Sequence, residues 1–138
     1  MNQRLTTEER IAMIRLYVDN ARDMLETTAD NIRDGHYKSA INRMYYGCFY
    51  IVTGLLLGRQ ISPGTHQGTS NQFSLHYIHS GRLSVKYARI YGRLLEERSR
   101  GDYDIFTLFD KETTEEYFLQ AQDFVDTIEK LIREESQI

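Results

Sequence analysis

Residues 37–58 read YKSAINRMYYGCFYIVTGLLLG. Ala40, Met44, Gly47, Ile51 and Leu55 form one stripe at helical spacing, and Ile41, Tyr45, Cys48, Val52 and Leu56 form a second beside it. Apolar residues recurring at three and four positions mark a helix. A helix that is apolar on several faces is one that other helices pack around. The pattern therefore predicts a central helix from about His36 or Tyr37 to Leu57 or Gly58, and with it an all-α fold. Its most apolar part, Cys48 to Leu57, is interrupted by Thr53 and is about half as long as a bilayer-spanning helix.

The flanking segments read as helices joined by short turns. Upstream, Thr6 followed by Glu9 is a capping-box pattern. Ile11, Ile14, Val18, Ala21, Leu25, Ala29 and Ile32 then mark one face, and Gly35 closes the helix. Downstream, Ser62-Pro63-Gly64 is a turn signal. A short helix is predicted from about Thr69 to Ser80, capped by Gly81. Ser84 caps a fourth helix that buries Val85, Ala88, Tyr91, Leu94 and Leu95 and ends at Gly101. Residues 102–109, DYDIFTLF, read as an ordered aromatic loop. Asp110 with Thr113 opens the last helix, whose inner face is Tyr117, Ala121, Phe124, Ile128 and Leu131 or Ile132. The expectation is an antiparallel bundle of about five helices, a single domain over residues 1–138.

Composition sets the outer bounds. Of 138 residues, 41% are hydrophobic and 27% charged, which excludes a disordered chain. One Pro and no Trp fit long helices. The lone Cys48 excludes an internal disulfide and a cysteine metal cage, and Cys48 itself reads as a small buried hydrophobe. The start, MNQRLTTEER, shows no apolar leader. The expected location is the cytoplasm, away from membranes.

The net charge of −3 hides a segregation. Residues 35–100 carry nine basic side chains against Glu96 and Glu97, whereas residues 110–138 carry nine acidic ones against three basic. The plain reading is that the basic middle pairs with the acidic end inside the fold; the alternative is an anion-binding surface.

Few residues carry chemistry by spacing alone. His76 and His79 could share a metal, but no Asp, Glu or Cys lies near them in sequence to complete a shell. No metal or cofactor is called for. P-loop, HExxH, GxGxxG and nucleophile-elbow patterns are absent from the sequence. Arg43 and Tyr46 are i,i+3 neighbours on the apolar central helix, with Asn42 and Tyr45 beside them. A guanidinium there needs a buried acid, several carbonyls, or an anion in a cleft; the residues alone do not choose. The other cluster is Arg98-Ser99-Arg100-Gly101-Asp102-Tyr103-Asp104. Arg98 is read as a helix-end cation with Asp102 and Tyr103 within its reach, a phosphate grip or a self-satisfied corner.

Taken together, Ala40-x-Asn42-Arg43-x-Tyr45-Tyr46-x-x-Phe49, the turn followed by His66, the Phe73 helix, Gly81, and Leu95-x-x-Arg98-x-x-x-Asp102-Tyr103 resemble the HEPN domain (higher eukaryotes and prokaryotes nucleotide-binding). The likeness is strongest to small stand-alone prokaryotic HEPN proteins and spans nearly the whole chain. It implies a bundle of four to five helices and a homodimer, which the surplus of apolar surface on the central helix also suggests. It implies a toxin–antitoxin or defence-type module with a nucleotidyltransferase partner, binding RNA or a nucleotide. Many relatives are metal-independent endoribonucleases whose signature is Arg, four to six residues, then His. Here Asp102-Tyr103 stands where that His is expected after Arg98, and Arg59 and His66 have the spacing but straddle Pro63-Gly64. Metal-free cleavage needs charge stabilisation at phosphorus and a group for proton transfer, for which tyrosine is a poor base at its ordinary pKa near 10. The candidate catalytic set is Arg98, Asp102, Tyr103 and His66; His66 joins it only if its loop folds toward Arg98. The candidate anion- or nucleotide-binding set is Arg43, Tyr46, Arg98 and Arg100. The alternative is a catalytically silent nucleotide-binding or helical adaptor module.

Overall fold

A computed structural model describes residues 4–138; Met1–Gln3, on which part of the leader expectation rests, lie outside the described residues. The described chain forms five α-helices: α1 Thr7–Arg33, α2 Tyr37–Gly58, α3 His66–Phe73, α4 Val85–Tyr103 and α5 Lys111–Ser136. A π-helical turn, Ser74–Ile78, extends α3. No strand occurs among the described residues. None of the helices is long and apolar enough to cross a membrane.

Every α-helix start but that of α2 carries a side-chain cap. Thr6 and Glu9 form the reciprocal capping box of α1, Ser84 accepts from the Lys86 N–H at α4, and Asp110 accepts from the Thr113 N–H at α5. As the two stripes demand, α2 packs against α1, α3, α4 and α5 and buries twelve of its residues. Around it lie Ile14, Val18, Ala21 and Leu25 of α1, Ile90, Tyr91 and Leu94 of α4, and Ala121, Phe124, Val125, Ile128 and Ile132 of α5. On α1 it is Thr28, its hydroxyl returned to the Met24 carbonyl at 2.7 Å, that is buried, whereas Ala29 is exposed.

The approach of α1 to α2 leaves no room at Gly54, where a Cβ would lie 3.2 Å from Tyr17 Cβ. Gly54→Val is expected to overpack this contact and cost about 1–3 kcal/mol, read as a lower urea midpoint with an unchanged slope.

Two boundaries differ from the sequence reading. The third helix begins at His66, not near Thr69, because Thr65 caps it by accepting from the Gly68 N–H at 2.9 Å. The stretch His66-Gln67-Gly68 has no apolar rhythm, so only the cap geometry reveals the earlier start. The fourth helix passes through Gly101 to Tyr103. Gly101 is buried, and a Cβ there would meet the Phe109 ring at 3.2 Å; close packing, rather than termination, explains this glycine. In the 104–110 connection Thr107 is buried and Phe109 half-buried, while Ile105, Phe106 and Leu108 are 82–90% exposed.

Three of the nine basic side chains of the middle segment pair with α5 among the described residues, so the plain charge reading holds in part. Arg59 and Arg82 both reach Glu135 at 3.2 Å, and Lys86 reaches Asp123 at 2.7 Å. Arg43 and Arg98 have no ion pair with α5 among the described residues.

Candidate anion-binding site

The site grows from one face of α2. Residues 42, 45, 46 and 49 fall at i, i+3, i+4 and i+7, with Arg43 at i,i+3 to Tyr46, so their side chains share a flank of the helix. Helix α4 crosses this flank and brings Arg98, and the early start of α3 brings His66. Tyr46 is the hub. Its hydroxyl accepts from Arg98 Nη2 at 2.8 Å. The Arg98 guanidinium carbon lies 5.3 Å from its ring centroid, and that of Arg43 lies 5.4 Å from the same centroid. Two cations thus share the face field of one aromatic ring.

Their compensation is incomplete. Arg43 is held by its neighbour Asn42, with Nε 3.1 Å from Oδ1, and by Met24 Sδ at 3.7 Å; no carboxylate pairs with it among the described residues. The buried acid that would make it a structural ion pair is not there, so of the open readings an accessible guanidinium is the one the geometry matches. Arg98 has a single acid, Asp102 Oδ2, 3.4 Å from Nε, and that buried Nε makes no well-formed hydrogen bond. Burial works against its charge, but the Tyr46 hydroxyl and Asp102 keep the guanidinium firmly ionised. Asn31, Lys38, Ser39, Asn42, Arg43 and Asp102 line an open cleft of about 430 Å³ beside the cluster.

His66 completes the group. Its Nδ1 lies 2.6 Å from the Tyr45 hydroxyl. Phe49 stacks on the imidazole with centroids 4.3 Å apart, and Tyr46 meets it edge-on at 5.8 Å. Burial, and then the Arg98 charge, hold the imidazole below its ordinary pKa, which keeps the ring neutral near pH 7. Burial pushes the Tyr45 phenol up to about 12, so it remains protonated and can act as a donor.

The structure brings Arg43, Tyr46, Arg98, Asp102 and His66 together and leaves two candidates outside. Tyr103 is 85% exposed and makes no hydrogen bond to Arg98; five residues along a helix is well over a quarter-turn away. Arg100 pairs with Glu97 at 2.6 Å and lies over the Phe109 ring. Arg98 is not a helix-end cation, because α4 continues to Tyr103 and the side chain is 15% exposed. Arg59 is engaged with Glu135 and stacks on Tyr77 at 4.4 Å, so the spaced pair Arg59 and His66 is not one site. Among the described residues no three His, Cys, Asp or Glu side chains gather as metal ligands, and His76 is bonded to Gln72 at 3.1 Å. Sequence reasoning missed Tyr45 and Phe49 as the seat of His66. Their i,i+4 spacing marks a shared face, but nothing in sequence links them to a residue 17 to 21 positions away.

A family model for the HEPN domain matches residues 14–131. The chain belongs to the HEPN family. A UPF0332 protein of Thermotoga maritima is 31% identical over 126 residues, covering 91% of this chain and 96% of its own. A protein of Methanocaldococcus jannaschii named "Putative toxin" is 27% identical over 115 residues, covering 83% of this chain and 78% of that one. A UPF0332 protein of Pyrococcus horikoshii is 34% identical over 58 residues, 42% of this chain. The all-α bundle and the HEPN resemblance read from sequence are borne out, and one relative of the chain carries a toxin name.

Proposed function

We propose that this HEPN protein acts on RNA as one member of a toxin–antitoxin or defence-type module, binding backbone or nucleotide phosphate at the Arg43–Tyr46–Arg98 cluster. The observation that carries this reading is the pair of guanidiniums at 5.4 and 5.3 Å from one tyrosine ring centroid, with Asp102, on Arg98, the one carboxylate paired to either among the described residues. Cations with so little carboxylate compensation favour an anion, and phosphate supplies it through charge-assisted hydrogen bonds. The name of the M. jannaschii relative supports the toxin-type setting. The test is a titration with short single-stranded RNA at two salt concentrations: affinity that falls as salt rises supports phosphate contacts, and salt-independent or absent binding overturns the reading.

A second reading, metal-independent RNA cleavage, is favoured by one observation: His66 reaches the cluster, so an imidazole stands beside the phosphate grip. RNA incubated with the protein in chelator separates the two readings, because cleavage lost in His66→Ala supports the second and intact RNA supports binding alone. A nucleotidyltransferase-type protein is the partner proposed for the module, and co-purification with the product of an adjacent nucleotidyltransferase gene tests it.

The homodimer belongs to the same proposal, with changed support. The apolar surplus of α2 is used up inside the bundle, since its two stripes are covered by four helices. The most exposed large aliphatic and phenyl side chains are instead Ile105, Phe106 and Leu108, together in one loop, and large exposed apolar groups mark contact surfaces. Light scattering is expected to give twice 16.2 kDa; the single-chain mass at low micromolar concentration overturns the dimer.

A further inference from the structure

The protein bonds the His66 ring through one nitrogen only. Nδ1 faces the Tyr45 hydroxyl at 2.6 Å, whereas Nε2 has no hydrogen-bond partner among the described residues. The groups packed around the ring are Tyr45, Tyr46 and Phe49 of α2 and Arg98 of α4. Of these, Arg98 has only donors, and the Tyr46 hydroxyl is occupied by Arg98. The proton on the neutral ring is therefore decided between His66 and Tyr45.

The surroundings of Tyr45 decide it. Tyr45 is fully buried, and so is Tyr91, whose ring lies 6.0 Å away. The Tyr91 hydroxyl has no hydrogen-bond partner among the described residues, so it takes no proton from Tyr45. The Tyr45 hydroxyl has one partner there, His66 Nδ1. If Nδ1–H donated to Tyr45, the phenol's own proton would be left in the core without an acceptor. If Tyr45 donates to Nδ1, that proton is satisfied and only an oxygen lone pair is left over. Folded proteins avoid stranded buried donors more strictly than under-used oxygen acceptors, so the second arrangement is selected.

We infer that Tyr45 is a positioning residue that donates its hydroxyl hydrogen to His66 Nδ1, leaving the single ring proton on Nε2, so that His66 meets a phosphate as a neutral N–H donor beside Arg98 rather than as a base. A neutral imidazole held this way can polarise an oxygen without bringing charge of its own. Phosphate as the ligand rests on the function proposed above; the placement of the proton does not. The consequence for chemistry is specific: Nε2 has no lone pair to take a proton, so activating a 2′-hydroxyl through this ring requires the opposite tautomer.

The test is a long-range ¹H–¹⁵N spectrum of the whole chain with ¹⁵N-labelled histidine at neutral pH, which reports tautomers directly. Wild type is expected to show His66 with a protonated Nε2 and an unprotonated Nδ1. Tyr45→Phe, the same shape without the hydroxyl, is expected to show a mixture of both tautomers, with a melting curve verifying the fold. A proton on Nδ1 in wild type, or an unchanged tautomer in Tyr45→Phe, overturns the inference; the wild-type spectrum alone decides if the variant does not fold. Inorganic phosphate added to wild type is expected to shift the Nε2 resonance. A correct tautomer that no phosphate or RNA perturbs would uphold Tyr45 as the positioning residue and defeat the phosphate-binding reading, so the two failures remain distinguishable.

Discussion

Arg98→Ala is expected to weaken binding of single-stranded RNA at least tenfold and to destabilise the fold measurably. The affinity loss follows from removing one charge-assisted phosphate contact, about 1.5–3 kcal/mol. The salt dependence should become shallower as well, because one fewer phosphate is neutralised, a change of about 0.7 in the log–log slope for a single strand. The stability loss follows from the packing of Arg98 itself. At 15% exposure, bonded to Tyr46 and lying over the Tyr45 and Tyr46 rings, it holds α4 against α2, and breaking such a charged hydrogen bond costs about 1–3 kcal/mol. Arg43→Ala separates the two effects. The polar partners of Arg43 among the described residues are Asn42, Met24 and the Tyr46 ring, with no carboxylate, so its loss should leave the denaturation midpoint nearly unchanged while affinity falls by a comparable factor. Binding titrations and melting curves on both variants check this. Unchanged affinity in both would mean that the paired guanidiniums serve the fold alone.

The helical plan was legible because each α2 stripe repeats at strict three- and four-residue spacing and each cap is local: Thr6 with Glu9, Ser84 with Lys86, Asp110 with Thr113. The site was legible as residue types and illegible as geometry. Arg43, Tyr46 and Arg98 stood out because charge and hydroxyls on an apolar helix need partners. The position of His66 did not, since it turns on Thr65 capping a helix that opens without an apolar residue. Gly101 misled for the opposite reason. Glycine usually ends a helix, but here the Phe109 ring occupies the space a Cβ would take, so packing keeps the helix intact. That one extension moves Arg98 from a helix tip into the body of α4 and leaves Tyr103 on the outside. At Gly101 a packing contact overrode a local signal, at Thr65 a local cap acted where no apolar rhythm marked a helix, and each shift changed which residues meet.

Glu135→Ala is expected to cost about 2–4 kcal/mol while leaving RNA affinity within about twofold of wild type. Its carboxylate accepts from the Tyr77 hydroxyl at 2.6 Å and pairs with Arg59 and Arg82, each at 3.2 Å. Removing it strands the hydroxyl of fully buried Tyr77 and leaves two cations facing each other, the condition in which losing one partner is expensive. Arg59→Ala should cost less, about 1–2 kcal/mol, because Tyr77 keeps its acceptor; it should likewise spare binding, which no active Arg59–His66 pair could do. The acid limb of stability follows from the same corner. Burial works against the ionised form of Glu135, but the hydrogen bonds from Arg59 and Tyr77 outweigh it and hold the carboxyl below its ordinary range. A carboxyl with a depressed folded value contributes stability above its unfolded pKa, and that contribution is lost as pH falls through the folded value. Urea midpoints measured between pH 7 and pH 3 should therefore drop more steeply for wild type than for Glu135→Ala. Parallel curves would show that the corner does not control acid stability, and weakened RNA binding in Arg59→Ala would return Arg59 to the site.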